Sequence, residues 1–403
     1  MNKKWLLAGL SGIILFSACG KDAIQTSQQT TSQSSQEVKL QEVAEKGVKE
    51  PGEWITLSGS RKVFKGKGEF FDCFDTVISV TYYTKSVEEF QKLFDLTHKE
   101  YLRLHQLYDN YHGYDGVTNV FSVNQKAGQG AVPVSEELFS LLKLSKDNYD
   151  KVKGKVNIAM GSVLRLWHDA REANGYYVNG EEAEAKNSGK NTAEKGVLPT
   201  KEQLEEANRH CKISDMILND KDRSVELKDS KMSLDLGAVA KGYATERIAQ
   251  TMKKEGLESG LINAGGNVKV IGLPADGRKE WSIGVQNPKP EKEQMTWAIK
   301  VYKDQAVVTS GDYQRYFMVN GKKYHHIIDP KTLYPETRFP SVSVVTEDSG
   351  LADFLSTAMF LSDKTEAEEI RKNFSDRAIG LVWIDVKNEL SNTENLQDRI
   401  VRP

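Results

Sequence analysis

Four short segments contain the residues that could do chemistry. The first, Ser233–Ala244, combines small residues, which let a backbone approach a ligand closely, with one acid, Asp235, and one base, Lys241. An ordinary strand-to-helix turn explains this composition equally well. The second, Asn263–Asn267, has paired glycines that suit a tight turn beside a cofactor, or any other tight turn. Neither segment defines a chemistry by itself.

A pair of histidines marks the third segment. Val308–Tyr313 (VTSGDY) is followed by Tyr324–Pro330 (YHHIIDP), where His325 and His326 lie in an apolar stretch that an Asp-Pro pair ends. One of the two could act as a general base, because imidazole titrates near neutral pH. A histidine that serves only packing fits the same pattern. The pattern alone therefore leaves both interpretations open.

The fourth segment, Leu351–Ala358, is predicted to place an acid and a hydroxyl on one face of a helix. Asp353 and Thr357 are four residues apart and so become neighbours on a helical surface. Carboxylate and hydroxyl oxygens are ligands that Mg²⁺ prefers, and bound Mg²⁺ usually contacts phosphate as well. Without context, a helix-terminal acid near an unrelated threonine is the simpler explanation.

The common catalytic and binding motifs are missing from the sequence. It has no G-x-G-x-x-G after a strand, no P-loop, no H-E-x-x-H, no C-x-x-C and no nucleophile elbow, and its seven histidines have no zinc-site spacing. A net charge of −2 over 403 residues argues against nucleic-acid binding. Three cysteines, Cys19, Cys73 and Cys211, are too few for a disulfide-stapled scaffold, and whether the last two pair stays open.

The hydrophobic patterns predict a scaffold that mixes helices and strands. Phe71–Thr84 alternates apolar and polar residues and predicts a strand, whereas capping boxes at Ser86–Glu89 and Thr200–Gln203 predict helix starts. Asn320-Gly321 predicts a hairpin, and the polar, glycine-containing stretch Asn174–Leu198 indicates an exposed insertion. Further elements are predicted as helices over Ser135–Tyr149, Lys241–Lys254 and Leu351–Leu361, short strands from Gly260 onward, and a late strand over Ala378–Asp385. Because no strict βαβ rhythm appears, the predicted class is α+β.

The first fifty residues predict export and lipid anchoring. Two lysines precede the apolar run Trp5–Phe16, which is too short to span a bilayer, and small residues then precede Cys19. This order predicts a lipoprotein signal peptide over 1–18 and lipidation of Cys19; an ordinary secretory signal is the alternative. Gln25–Gln36 is almost wholly Gln, Ser and Thr, which predicts a disordered linker over 19–50. One folded domain is predicted over 51–403, at the extracytosolic face of the cell membrane.

The four segments together resemble one family, the ApbE-type FAD:protein FMN transferases. The family's motifs occur in order, as D-L-G-x-x-A-K-G-Y-A, N-x-G-G, T-S-G-x-Y, H-I-x-D-P and A-D-x-x-x-T, and the resemblance runs from about residue 70 to residue 390. It implies a single α+β, T-fold-related domain with mixed sheets and flanking helices. It also implies Mg²⁺-dependent transfer of FMN from FAD to a Ser or Thr hydroxyl of acceptor proteins of extracytosolic electron transfer, with release of AMP.

The resemblance also assigns site residues. It implies that His326, and not His325, is the base that activates the acceptor hydroxyl. The implied metal ligands are Asp353, Thr357 and the backbone carbonyl of Ala238; Ser356 stands where some relatives have a further acid. The implied FAD contacts are Phe74, Tyr111, Lys155, Val156, Asn157, Asp235, Lys241 and Ile328.

Three of these FAD contacts differ from the family pattern or compete with a neighbour. Phe74 stands in Phe-Asp-Thr, where many relatives read Met-Gly-Thr, and would lie beside the flavin or adenine ring as an aromatic variant. Many relatives have an acid where Asn157 stands. Tyr114 competes with Tyr111 for the aromatic position before the polar loop.

Two other functions share much of this sequence signal. Some relatives hydrolyse FAD to FMN and AMP, so an FAD pyrophosphatase is the first alternative. A flavin-binding electron-transfer lipoprotein without catalytic activity is the second, although such a carrier needs neither the His326 base nor a metal-binding face. The chain contains no acceptor motif of the family's type, which predicts that it modifies other proteins rather than itself.

Overall fold

A computed structural model describes residues 52–57, 62–178, 181–183, 196–288 and 295–401. The predicted signal peptide, the lipidation site Cys19 and the predicted linker lie outside these residues. Within them, no helix combines the length and the apolar character that crossing a membrane requires.

A nine-stranded sheet forms the centre of the molecule. Its strands follow the order β1-β2-β3-β9-β10-β13-β16-β17-β18, and all of its neighbouring pairs are antiparallel. They are β1 (Gly52–Thr56), β2 (Lys62–Phe70), β3 (Ile78–Thr84), β9 (Ser259–Ala264), β10 (Asn267–Ile271), β13 (Ala306–Gly311), β16 (Ser341–Thr346), β17 (Gly380–Ile384) and β18 (Leu390–Asn392). This antiparallel pairing, with helices on one face, confirms the α+β prediction.

The described part of the chain also contains three smaller sheets, eight α-helices and two short 3₁₀ helices, Ile213–Asp215 and Glu394–Arg399. The sheets are β4 (Val132–Pro133), β8 (Ser224–Leu227) and β7 (Met216–Asn219); β15 (Lys322–His325), β14 (Arg315–Val319), β5 (Tyr176–Val178) and β6 (Glu181–Ala183); and β11 (Trp281–Gln286), β12 (Met295–Val301) and β19 (Ile400–Val401). The helices are α1 (Val87–Tyr108), α2 (Val120–Gln125), α3 (Glu136–Asp147), α4 (Gly161–Asn174), α5 (Lys201–Asn208), α6 (Ala240–Lys254), α7 (Ser349–Phe360) and α8 (Lys364–Lys372).

Two hydrophobic cores lie on opposite faces of the central sheet. Strand β13 shows why: Ala306 and Val308 point into the core beneath the helices, whereas Val307 between them belongs to the other core. This is the period of two expected for a strand buried on both faces. The second core is closed by β11 and β12, through residues such as Trp281 and Ile299. The helical face carries α6 and α7, which position most of the candidate site.

Most predicted elements agree with the structure, with one instructive error. Ser86 and Thr200 cap α1 and α5, and the predicted hairpin turn at Asn320-Gly321 has φ values of 50° and 75°. The strand predicted from Phe71 begins only at Ile78. Phe74 and Asp75 before it have φ values of 54° and 48°, a left-handed conformation that no strand accommodates.

Cys73 and Cys211 are both free thiols, buried in different hydrophobic clusters. They therefore form no disulfide with each other in this structure, which answers a question that the sequence left open.

Candidate functional site

Asp353 anchors the contact between helices α6 and α7. Its Oδ2 accepts a hydrogen bond from the backbone N–H of Gly242, at 2.7 Å, and faces Asn267 Nδ2 at 3.5 Å. Gly242 is required here, since a Cβ at this position would lie 2.3 Å from the Cβ of Asp353. The N–H of Gly242 belongs to the first turn of α6, where amides lack partners within the helix. Burial raises the pKa of Asp353, while Lys241 and these hydrogen bonds lower it.

Three hydroxyl groups lie close to Asp353. Ser310, in the Thr-Ser-Gly motif at the end of β13, places its Oγ 2.8 Å from Ser356 Oγ and 3.5 Å from Thr357 Oγ1. Ser356 also donates to the backbone carbonyl of Asp353, at 3.0 Å. Ser356 is therefore used in packing α7 against β13. We name the group of Gly242, Ser310, Asp353, Ser356 and Thr357 the helix wall.

The residues of the helix wall fit a hard divalent cation. Among the described residues, the hydrogen bonds to the carboxylate of Asp353 all fall on Oδ2, which leaves Oδ1 for a ligand. In the same part of the chain, no backbone amide donates to the carbonyl of Ala238, in the turn before α6. Together with the hydroxyl of Thr357, these are oxygen donors of the kind Mg²⁺ binds alongside phosphate and water. No group of three or more His, Cys, Asp or Glu side chains suited to a metal occurs among the described residues.

The two adjacent histidines have different environments. His325 is buried: its Nδ1 accepts from the backbone N–H of Ile327 at 3.2 Å, and its Nε2 donates to the carbonyl of Glu336. Burial lowers the pKa of His325 to about 4. Both ring nitrogens of His325 are thus used by the fold, which leaves neither for a substrate.

His326 faces solvent and keeps one ring nitrogen available. Its Nδ1 lies 3.2 Å from the carbonyl of Arg315. A carbonyl only accepts, so Nδ1 carries the proton and Nε2 is unprotonated. Surrounding protein lowers the pKa of His326 well below its usual value, and the charges of Arg315, His325 and Lys241 act in the same direction. A neutral imidazole with a free Nε2 can accept a proton.

Arg315 connects His326 to the left-handed loop at Phe74-Asp75. Its guanidinium donates to the carbonyl of Asp75 at 2.5 Å and lies 3.4 Å from that of Phe74. The next residue, Thr76, packs tightly on Gly265. A Cβ added to Gly265 would lie only 2.1 Å from the Oγ1 of Thr76. We name the group of Phe74, Asp75, Arg315 and His326 the loop wall.

The ring of Phe74 packs against α1. Its centroid lies 6.1 Å from that of Tyr101 and 5.5 Å from that of His105, whose Nδ1 accepts from the Phe74 N–H. Phe74 contributes its backbone carbonyl to the loop wall, where it lies 3.4 Å from the guanidinium of Arg315.

Asp235 and Tyr111 lie together beside α4. Asn110 donates to Asp235 Oδ2 at 3.1 Å, and burial raises the pKa of Asp235. Tyr111 lies between His168, whose ring centroid is 4.8 Å away, and the guanidinium of Arg165 at 5.3 Å. Asp235 in turn raises the pKa of Tyr111, in addition to the larger effect of burial. Tyr111 and Asp235 are therefore neighbours.

The competing tyrosine has a different partner. Tyr114 donates from its hydroxyl to Asp109, at 2.8 Å. Tyr114 therefore contacts Asp109, whereas Tyr111 lies beside His168 and Arg165.

Lys241 connects the parts of the site electrostatically. Its charge lowers the pKa values of Asp235, Asp353 and His326. Its Nζ lies 3.4 Å from the carbonyl of Gly237. A partly exposed cation that acts on all three groups is suited to an anionic ligand.

The segment Lys155–Asn157 runs beside Asp235, but its side chains contact the protein. Lys155 donates to the carbonyl of Leu361 at 2.9 Å and pairs with Glu366 at 3.0 Å. Val156 is buried, and Asn157 donates to the carbonyl of Cys211 at 2.8 Å. If this segment contacts FAD, its backbone is the part left to do so. Ile328, the remaining predicted contact, is buried two residues after His326.

Some residues of the site were not identified by sequence reasoning. Arg315 and Asn110 follow no motif that marks them, and only the fold brings them to the site. Ser310 lies inside the Thr-Ser-Gly motif, so its hydroxyl could have been considered a partner of Thr357.

Comparison with known proteins identifies the family. The ApbE family model matches residues 74–379, well over half of the chain. A protein of Klebsiella pneumoniae named FAD:protein FMN transferase is 30% identical over 244 residues, which cover 60% of this chain and 68% of that protein. One of Treponema pallidum with the same name is 32% identical over 253 residues, 60% of this chain and 64% of its own length.

Solved structures show the same fold. The ApbE protein of Thermotoga maritima aligns with a TM-score of 0.70 and 26% identity over 83% of this chain and 99% of its own. The flavin transferase ApbE of Vibrio cholerae aligns with a TM-score of 0.65 and 20% identity, over 83% of this chain and 99% of its own, and supports the fold alone. The family and fold predicted from the ordered motifs are confirmed: this chain belongs to the ApbE family.

Proposed function

We propose that this chain transfers the FMN part of FAD to a Ser or Thr hydroxyl of an acceptor protein. The observation that carries the proposal is His326: an exposed imidazole whose Nδ1 is held by the carbonyl of Arg315, which leaves Nε2 to accept a proton. The names of the relatives, FAD:protein FMN transferase, support the same reaction.

In this mechanism His326 accepts the acceptor's proton at Nε2. The hydroxyl oxygen forms a bond to the phosphorus of the FMN half, and the bond from that phosphorus to the bridging oxygen breaks. AMP leaves with the bridging oxygen. Lys241 lies where it can offset the negative charge of the pyrophosphate, and Asp235 and Tyr111 are placed to orient FAD.

Asp353, Thr357 and the carbonyl of Ala238 would hold Mg²⁺ in this proposal. The ion would supply positive charge to the pyrophosphate oxygens. Asp353 is the residue best prepared for this, because its orientation is fixed by the N–H of Gly242 before any ligand binds.

FAD hydrolysis is the second candidate reaction. The exposure of His326 favours it, since water could take the position of the acceptor hydroxyl when no acceptor is bound. The third function considered from the sequence, a carrier without catalytic activity, has no support in the relatives' names.

We further propose that the reaction takes place outside the cytosol, on a chain anchored through Cys19. The support is the order of charged, apolar and small residues before that cysteine. Replacing Cys19 by Ser should move the chain from the membrane fraction to the soluble extracytosolic fraction. A chain that stays with the membrane would contradict the anchor.

The transfer proposal is tested by incubating the purified chain with FAD, Mg²⁺ and a flavin-free acceptor domain. Transfer gives an acceptor band with flavin fluorescence in a denaturing gel, and one AMP for each label. AMP without a labelled acceptor would indicate the hydrolase. Bound but intact FAD would overturn both reactions.

A further inference from the structure

A buried lysine outside the site just described links its two helices. Lys269 lies on the central strand β10, and only 3% of its side chain is exposed. Its Nζ lies 2.9 Å from Glu246 Oε2 and 2.9 Å from the carbonyl of Asp304, and it also donates to the carbonyl of Glu347. A buried ammonium is unfavourable unless it is paired in this way. None of the proposed chemistry uses it.

Glu246 extends this contact to α7. The same oxygen that pairs with Lys269 accepts a hydrogen bond from the backbone N–H of Ser349, at 2.9 Å. Glu246 is one turn after Gly242 on α6, and Ser349 is one turn before Asp353 on α7. The two helices are therefore joined twice, by Gly242 to Asp353 and by Glu246 to Ser349.

These two hydrogen bonds matter because glycines lie where α6 and α7 touch. Besides Gly242, whose Cβ would clash with Asp353, a Cβ on Gly350 would lie 3.1 Å from the Cα of Tyr243. Small residues let helices approach closely but provide no interlocking side chains that resist sliding. Polar contacts must then prevent α7 from sliding along α6. The pair of Glu246 with Lys269 fixes one of these contacts, the one between Glu246 and Ser349, to the central sheet.

We propose that Glu246 and Lys269 are positioning residues that fix how far α7 is shifted along α6. They thereby set the distance of Asp353 and Thr357, which lie on α7, from Ala238, which precedes α6, and from Lys241, in the first turn of α6. The inference rests on the proposed function, since those four residues are the ones assigned to the metal and the pyrophosphate. A shift of α7 along α6 would separate the oxygen donors without removing any of them. The pair thus controls how strongly the site binds Mg²⁺, while making no contact with it.

The test uses the full chain with both charges removed together, Glu246→Gln with Lys269→Met. Replacing both partners avoids leaving one buried charge alone, and exchanges of this kind are often neutral for stability. Lys253→Met is the matched control, because it removes another ion pair of α6, at 3.1 Å to Asp304, that does not involve α7. Two quantities are measured: the Mg²⁺ concentration for half-maximal transfer, and the rise in melting temperature that Mg²⁺ alone produces.

The double variant should need roughly tenfold more Mg²⁺, the size reported for changes behind metal ligands, and should show a smaller thermal shift with Mg²⁺. FAD binding and the melting temperature without metal should change little, and the Lys253→Met control should match the parent. If the double variant does not fold, Glu246→Asp, which shortens the link and keeps the charge, should shift both readouts in the same direction.

An unchanged Mg²⁺ requirement together with an unchanged thermal shift would overturn the inference. A parent chain that shows no transfer would overturn the proposed function instead, and the thermal shift would still decide between a positioning and a purely structural role. A lower melting temperature of the double variant, with the same rise on adding Mg²⁺ as in the parent, would show that Glu246 and Lys269 only stabilise the fold.

Discussion

The helix wall and the loop wall are built in opposite ways. In the helix wall, the carboxylate of Asp353 is buried and held by a backbone amide across a glycine contact. In the loop wall, His326 is exposed, and it is held through the carbonyl of Arg315, whose guanidinium in turn fixes a left-handed loop. Under the proposed function, the buried helix wall would bind the ion and the pyrophosphate, and the exposed loop wall would receive the acceptor hydroxyl.

The largest expected effect comes from removing the imidazole of the loop wall. His326→Ala should lower transfer by roughly 10²–10⁴-fold, the range of general-base contributions, and should leave FAD binding intact. The measurement is flavin fluorescence of the labelled acceptor beside an FAD-binding titration. Lys322→Ala, at an exposed position of the same hairpin, serves as the control. Unchanged transfer by His326→Ala would show that His326 is not the general base.

Removing the carboxylate of Asp353 from the helix wall should have the second-largest effect on transfer. Asp353→Ala is expected to lower transfer by roughly a hundredfold, at the upper end of effects seen around metal ligands, and excess Mg²⁺ should restore only part of it. Asp376→Ala, at an exposed acid, is the control. Full activity of Asp353→Ala without added metal would contradict the metal assignment.

The close contact of α6 and α7 can be disturbed without replacing a charged residue. Gly242→Ala introduces a methyl group 2.3 Å from the Cβ of Asp353, and overpacking of this kind costs about 1–3 kcal/mol. The free energy of unfolding, measured with denaturant, should fall by that amount, and transfer should fall with it. Wild-type stability and activity would show that the helix wall is not rigid.

The smallest expected effect is a shift in pH dependence through Arg315. Surrounding protein and the charge of Arg315 lower the pKa of His326, so the base stays neutral below the usual imidazole range. Transfer should therefore decline only in more acidic solution. Arg315→Gln removes one positive charge, raises the pKa of His326 and moves the acidic limb of the rate profile to higher pH.

Arg315→Lys is the control for this shift, since it keeps the positive charge. It should leave the acidic limb near that of the parent, even if a weakened loop lowers the overall rate. Identical acidic limbs in the Gln variant and the parent would show that Arg315 affects His326 only through its backbone.

The sequence predicted the helix wall better than the loop wall, for a physical reason. Asp353 and Thr357 lie on one regular helix, where spacing alone sets their relation, and the predicted helix agrees with α7. The neighbours of Phe74 depend on a left-handed turn, which the alternation of apolar and polar residues concealed. The contacts of Arg315 likewise depend on that turn.

The side chains of Lys155 and Asn157 show a second limit of sequence reasoning. Motif matching selected both by position, and the structure shows their side chains bonded to the carbonyls of Leu361 and Cys211. Nothing in the local sequence indicates these partners, because both lie far away in the chain. The roles of His325 and His326 could be separated only once the partners of each ring nitrogen were known.

The contacts that build the site have a consequence for how the protein acquires activity. They join residues far apart in the chain: 111 residues separate Gly242 from Asp353, 125 separate Asn110 from Asp235, and 240 separate Asp75 from Arg315. Contacts of such separation form late and slow folding, because a long loop must close before each is made. Flavin transfer should therefore appear only after α7 and the Phe74-Asp75 loop have both docked, which makes activity recovered during refolding a measure of completed folding.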